Sequence, residues 1–89
     1  MRAEEVIEEV ADLCRQFQAK KVILYGSRVK GTARERSDID IAVFGVENFD
    51  ELAEKVEELP TLYSVDLLNA DTCRNELLLE DIRKYGREI

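Results

Sequence analysis

Residues 26–43 read GSRVKGTARERSDIDIAV: a glycine–serine pair, a run dense in arginine and lysine, then two aspartates at alternate positions of an apolar stretch. The end of this stretch decides the fold class. Over residues 38–44, DIDIAVF, the side chains alternate strictly, so Asp38, Asp40 and Ala42 share one face of a strand and Ile39, Ile41 and Val43 the other. The two carboxylates then stand side by side, about 6–7 Å apart at the backbone.

Working outward, residues 21–25, KVILY, form a short run rich in β-branched and aromatic side chains that stops at Gly26, which predicts a buried strand. Ahead of it, residues 4–18 carry Val6, Ile7, Val10, Leu13, Cys14 and Phe17 at the spacing of one helix face, with acids near the start. Cys14 lies on that buried stripe and reads as core filler. Downstream, Asn48 and Glu51 resemble a capping box, opening a helix with Phe49, Leu52, Ala53, Val56 and Leu59 inward and Pro60 at its end. Residues 62–68, LYSVDLL, alternate again, with Ser64, Asp66 and Leu68 on one face and Tyr63, Val65 and Leu67 on the other. A closing helix with Leu77, Leu78, Ile82 and Tyr85 inward takes Gly86 as its C-cap.

The order helix, strand, turn with a short helical piece, strand, helix, strand, helix predicts an α/β (α+β) domain built on a small sheet, with residues 1–89 as a single domain. Pattern alone leaves open which strands run parallel. At 89 residues and 45% hydrophobic composition, the chain is near the size where one core is only just sufficient, so a ligand or partner adds materially to its stability. No apolar run approaches the roughly 20 residues that span a bilayer. The N-terminus MRAEEVIEEV is acidic where a secretory signal is basic and then apolar, and the expected location is cytoplasmic.

With no histidine, and with Cys14 and Cys73 far apart, neither a zinc site nor a Cys-His nucleophile is expected, and a disulfide is unlikely chemistry for the cytosol. A net charge of −7 argues against general nucleic-acid binding. Yet residues 20–36 gather Lys20, Lys21, Arg28, Lys30, Arg34 and Arg36 against Glu35 alone. A compact positive patch on an acidic protein suits a small, highly charged anion such as a nucleoside triphosphate; it also suits a solvated loop.

Asp38 and Asp40, joined by Asp66 if their strands pair, make an all-oxygen donor set that favours Mg²⁺ over zinc. Alone, an Asp-x-Asp at a strand end is more often simply solvated, and the residues around this one matter. Gly26 and Ser27 stand at a strand end, where backbone N–H groups can approach a phosphate and the hydroxyl can donate one more hydrogen bond. A P-loop requires lysine where Thr32 stands, and an EF-hand loop requires an oxygen ligand where Ala42 stands.

Gly26-Ser27, ten residues, Asp38-Ile39-Asp40 and the later Asp66 together resemble the minimal nucleotidyltransferase family of the polymerase-β-like superfamily, over most of the chain. The resemblance implies a small mixed β-sheet flanked by helices. It implies two Mg²⁺ ions held by Asp38, Asp40 and Asp66, with Asp66 also helping to deprotonate the acceptor. ATP is the implied substrate, its β- and γ-phosphates gripped by Gly26 and Ser27, with Arg28, Lys30, Arg34 and Arg36 as candidates for neutralising the triphosphate. Short members of that family are often antitoxins that transfer AMP to a tyrosine of a HEPN-domain toxin, and this is the function the resemblance implies. Two alternatives stay open: a small-molecule nucleotidyltransferase with its acceptor site between the subunits of a homodimer, and a binding module that inhibits its partner by contact alone.

Overall fold

The structure is a computed structural model that describes residues 2–34 and 37–89; Met1, Glu35 and Arg36 lie outside the described residues, and with Arg36 one of the expected triphosphate cations. In chain order the elements are α1 (Ala3–Gln16), β1 (Lys21–Tyr25), α2 (Ser27–Lys30), β2 (Ile39–Phe44), α3 (Phe49–Glu57), β3 (Val65–Asn69), α4 (Glu76–Tyr85) and β4 (Arg87–Glu88).

The four strands form one mixed sheet in the order β3-β2-β1-β4. Strand β1 runs antiparallel to β2, with Leu24 opposite Ile41 and Tyr25 opposite Asp40. Strand β3 runs parallel to β2, with Ile39 beside Val65 and Asp40 beside Asp66. A parallel pair needs a crossover, and α3 supplies it.

The alternation of side chains divides the core in two. On one face Val22, Leu24, Ile39, Ile41 and Val43 pack against Val6, Val10 and Cys14 of α1 and Leu52 and Val56 of α3. On the other face Ile23, Tyr25 and Ala42 pack with Ala70 and with Ile82 of α4, flanked by Leu68, Leu78 and Leu79. Two helices thus cover the first face, and α4 the second. Asp40 and Asp66 belong to the second face, beyond Ala42, where Asp40 is half-buried and Asp66 exposed.

Capping follows the sequence at α3, where the Asn48 side chain accepts from the Glu51 amide at 3.3 Å and donates to the Glu51 carboxylate at 2.9 Å. Three expectations need correction. Residues 62–64 are not strand: Tyr63 donates its amide to the Thr61 hydroxyl at 3.1 Å, a local bond that competes with ladder pairing, and Leu62 is exposed. Strand β2 begins at Ile39, so Asp38 immediately precedes it. Leu77 and Tyr85 do not face inward but are 81% and 50% exposed, because α4 buries the Leu78, Leu79 and Ile82 side instead. A run of three leucines fits either phase of a helix, so its pattern does not fix which side is buried.

Gly86 caps α4 as expected, its amide donating to the Ile82 carbonyl at 2.8 Å, but with an extended backbone (φ −66°, ψ 154°), and the residues after it turn back as β4 along β1, Ile23 opposite Glu88. Glycine is needed there for space: a Cβ would run into the Ile82 carbonyl oxygen and the Ile23 side chain. Replacing Gly86→Ala is therefore expected to cost about 1–3 kcal/mol through overpacking. Urea unfolding of the variant checks this, and an unchanged midpoint would show that the turn yields freely.

Candidate active site

Gly26 follows β1 directly and carries φ 79° and ψ −153°, a region open essentially to glycine alone. A Cβ at this position would collide with the Asp40 carboxylate. Glycine therefore serves twice: it allows the backbone turn, and it leaves room for Asp40 beneath it. The Gly26 carbonyl accepts from the Val29 and Lys30 amides at 3.2 Å each, closing the turn without using the Ser27 amide or hydroxyl.

Next to this turn, the parallel register sets Asp40 beside Asp66. Burial, then Asp66, then Asp38 hold the Asp40 carboxyl above its ordinary range. Among the described residues the ion pairs are Arg15–Asp12 and Lys30–Asp81, so none neutralises Asp38, Asp40 or Asp66. The three aspartates are neighbours rather than a closed cage: among the described residues no three such side chains are gathered to hold one ion. An all-oxygen negative cluster of this kind, with no ion pair among the described residues, fits a hard divalent cation in its donor chemistry.

Tyr25, read from sequence only as a buried strand residue, stands opposite Asp40 and is 8% exposed. Its phenol is pushed up to about 12, first by burial and then by Asp40, Asp66 and Cys73. It therefore stays protonated beside the carboxylates. Only the strand register reveals this neighbour, and register is not written in a five-residue apolar run.

The two basic candidates with the strongest expectation are already engaged. Arg28 donates from Nη2 to the Ser37 carbonyl at 2.7 Å, and its guanidinium lies 5.1 Å from the centre of the Tyr63 ring. Lys30 pairs with Asp81 of α4 at 2.9 Å and sits 5.3 Å from the centre of the Tyr85 ring. Arg34 is exposed. Away from the site, the Cys14 thiol is fully buried in the α1 layer and pushed up to about 11, mainly by burial, as suits a core filler.

The Gly26 turn rests on the Asp40 carboxylate, with Asp66 beside it on the paired strand, and comparison with known proteins gives the class. The chain belongs to the polymerase β nucleotidyltransferase family, whose model matches residues 8–89, and it is a nucleotidyltransferase. It is 33% identical over 85 residues to MJ0604 of Methanocaldococcus jannaschii, a protein named provisionally as a protein adenylyltransferase, covering 92% of this chain and 84% of that one. Among solved structures it is similar to a doubly substituted MntA–HpeT toxin–antitoxin, with 25% identity, 91% of this chain and 69% of that chain covered, and a TM-score of 0.71. It is also similar to a toxin–antitoxin solved with AMP-PNP, with 28% identity, 97% and 71% coverage, and a TM-score of 0.71. The mixed sheet flanked by helices is the fold of these proteins. Among the described residues no helix is long and apolar enough to cross a membrane.

Because folding raises the Asp40 carboxyl above its unfolded value, the ionised form costs stability in the native state. Asp40→Asn is therefore expected to raise the thermal midpoint near neutral pH. The gain should fade as pH falls toward the carboxylate range, where Asp40 is protonated in both states. Melting curves across that pH range check this; a pH-independent gain would assign it to another cause.

Proposed function

We propose that this chain transfers AMP from ATP to a hydroxyl of a protein acceptor, a tyrosine of a HEPN-domain toxin, and so acts as an antitoxin. The observation that carries the reading is the placement of Asp40 beside Asp66 in parallel register, directly under the Gly26 turn. The AMP-PNP complex of a similar protein and the adenylyltransferase name of a relative support the nucleotide and the class of acceptor. So do Leu77 and Tyr85, apolar side chains exposed on α4, the helix of the site's own face, where a protein acceptor could rest.

In this reading Gly26 and Ser27 hold the β- and γ-phosphates through backbone N–H and hydroxyl groups. The exposed Arg34 is a candidate for the triphosphate, as is Lys30 once it leaves Asp81. Asp38, Asp40 and Asp66 would hold Mg²⁺, two ions in all. When bound, the metal neutralises charge on the phosphates and makes the acceptor hydroxyl more acidic. Asp66, the exposed member of the pair, takes up the acceptor proton as the new O–P bond forms and the bond to pyrophosphate breaks. Tyr25, buried and protonated, keeps bulk water from the inner side of the carboxylates.

Incubation with α-labelled ATP, Mg²⁺ and a HEPN-domain toxin encoded beside this chain tests the reading, the label being located by mass spectrometry. AMP is expected on a toxin tyrosine, with Asp38→Asn and Asp40→Asn lowering transfer by about a hundredfold or more. Toxin neutralised equally well by both variants, with no label transferred, would establish inhibition by contact instead.

A further inference from the structure

The Gly26 turn, the segment carrying Asp38 and the segment leading to Asp66 come from three separate parts of the chain, and one residue next to the first reaches the other two with its side chain. Arg28 belongs to α2, just past the turn. Its Nη2 donates to the carbonyl of Ser37, the residue before Asp38, at 2.7 Å. Its guanidinium lies 5.1 Å from the centre of the ring of Tyr63, three residues before Asp66. The two outer segments are themselves joined, since the Ile39 amide donates to the Ser64 carbonyl at 2.9 Å. A further pair of bonds steadies Ser37: its hydroxyl accepts from the Arg34 amide at 2.7 Å, and its amide donates to the Arg34 carbonyl at 3.0 Å.

We propose that Arg28 is a positioning residue: it clamps the Ser37–Asp38 and Tyr63–Asp66 segments onto the Gly26 turn, and it is not a ligand of the triphosphate. The inference rests on reading Asp38, Asp40 and Asp66 as the reacting site. A charge-assisted bond to a carbonyl is stronger than a neutral one, and a guanidinium over an aromatic ring gains a cation–π attraction besides. Moving it to a phosphate breaks both contacts at once. An ammonium can neutralise a phosphate, but it lacks the broad fork with which the guanidinium donates to Ser37 while its centre stays over the Tyr63 ring. The clamp also explains why an arginine lies half-buried among the strand ends while Lys30 and Arg34 are exposed.

The test uses Arg28→Gln, Arg28→Lys and Tyr63→Leu in the full chain, with three readouts. Hydrogen exchange of the Ile39 amide, measured without nucleotide, is expected to quicken about tenfold or more in each variant, while the Ile41 and Val43 amides stay protected. AMP-PNP affinity is expected to stay within about twofold of wild type, and transfer to fall by about 10- to 100-fold. Arg28→Gln combined with Tyr63→Leu should be little worse than either alone, as for two members of one contact. The proposal is overturned if Arg28→Gln weakens AMP-PNP binding as much as it slows transfer while Ile39 exchange stays at the wild-type rate. Arg28→Lys behaving as wild type would overturn it equally. Should one variant fail to fold, the other two still decide. If the wild type transfers no AMP, the function above fails, and the exchange measurement still answers for the clamp.

Discussion

Two aspartates held next to each other by a parallel strand pair are the constraint on which the rest of this molecule depends. Asp40 and Asp66 cannot drift apart without breaking the β2–β3 register, and that register is locked by the apolar side chains of the opposite face, Ile39, Ile41 and Val65 among them. Slipping the pairing by one residue would send those side chains to solvent, so hydrophobic packing on one face maintains electrostatic repulsion on the other. The cost shows in the raised Asp40 carboxyl. A small domain that keeps such a conflict gains something from it, and the proposed function puts cation and phosphate at that place.

Neighbouring features follow from that pair. Gly26 has its unusual backbone where the Asp40 carboxylate needs room, so the turn and the acid are adapted to each other. Ala42 is small and Ile82 of α4 is fully buried in the same cluster, which seats the helix on the far part of the face and leaves the carboxylate end open. Tyr25 is buried in that cluster opposite Asp40. α1 and α3 complete a core on one face, while α4 covers the part of the other face around Ala42 and Ala70.

Much of this was legible in the sequence. Strict alternation over residues 38–44 found the strand and the face of Asp40, though the strand begins only after Asp38, and the Gly26-Ser27 to Asp38-Asp40 spacing carried the family resemblance. Periodicity found α1, α3 and the three long strands, since these are segments whose burial pattern is written in side-chain type. What escaped were features fixed by tertiary contact. The phase of α4 is ambiguous across Leu77, Leu78 and Leu79. Strand β4 is two residues long and carries no pattern, and Gly86 is required by packing rather than by a positive φ. Tyr25 and Arg28 gained their roles only once strand register and chain crossing brought distant segments together. A count of positive charges assigns Arg28 to the triphosphate; its contacts to Ser37 and Tyr63 assign it to the protein.

The central claim is that the Asp40–Asp66 pair is a cation site whose repulsion a divalent ion relieves. Titrating Mg²⁺ in the presence of AMP-PNP while following the thermal midpoint tests it most directly, in wild type and in Asp40→Asn. The account predicts a wild-type midpoint that climbs with Mg²⁺, by an amount equivalent to about 2.7 kcal/mol at a hundredfold excess over the dissociation constant, and no comparable climb in the variant. A wild-type midpoint indifferent to Mg²⁺, or an equal rise in both proteins, would contradict it.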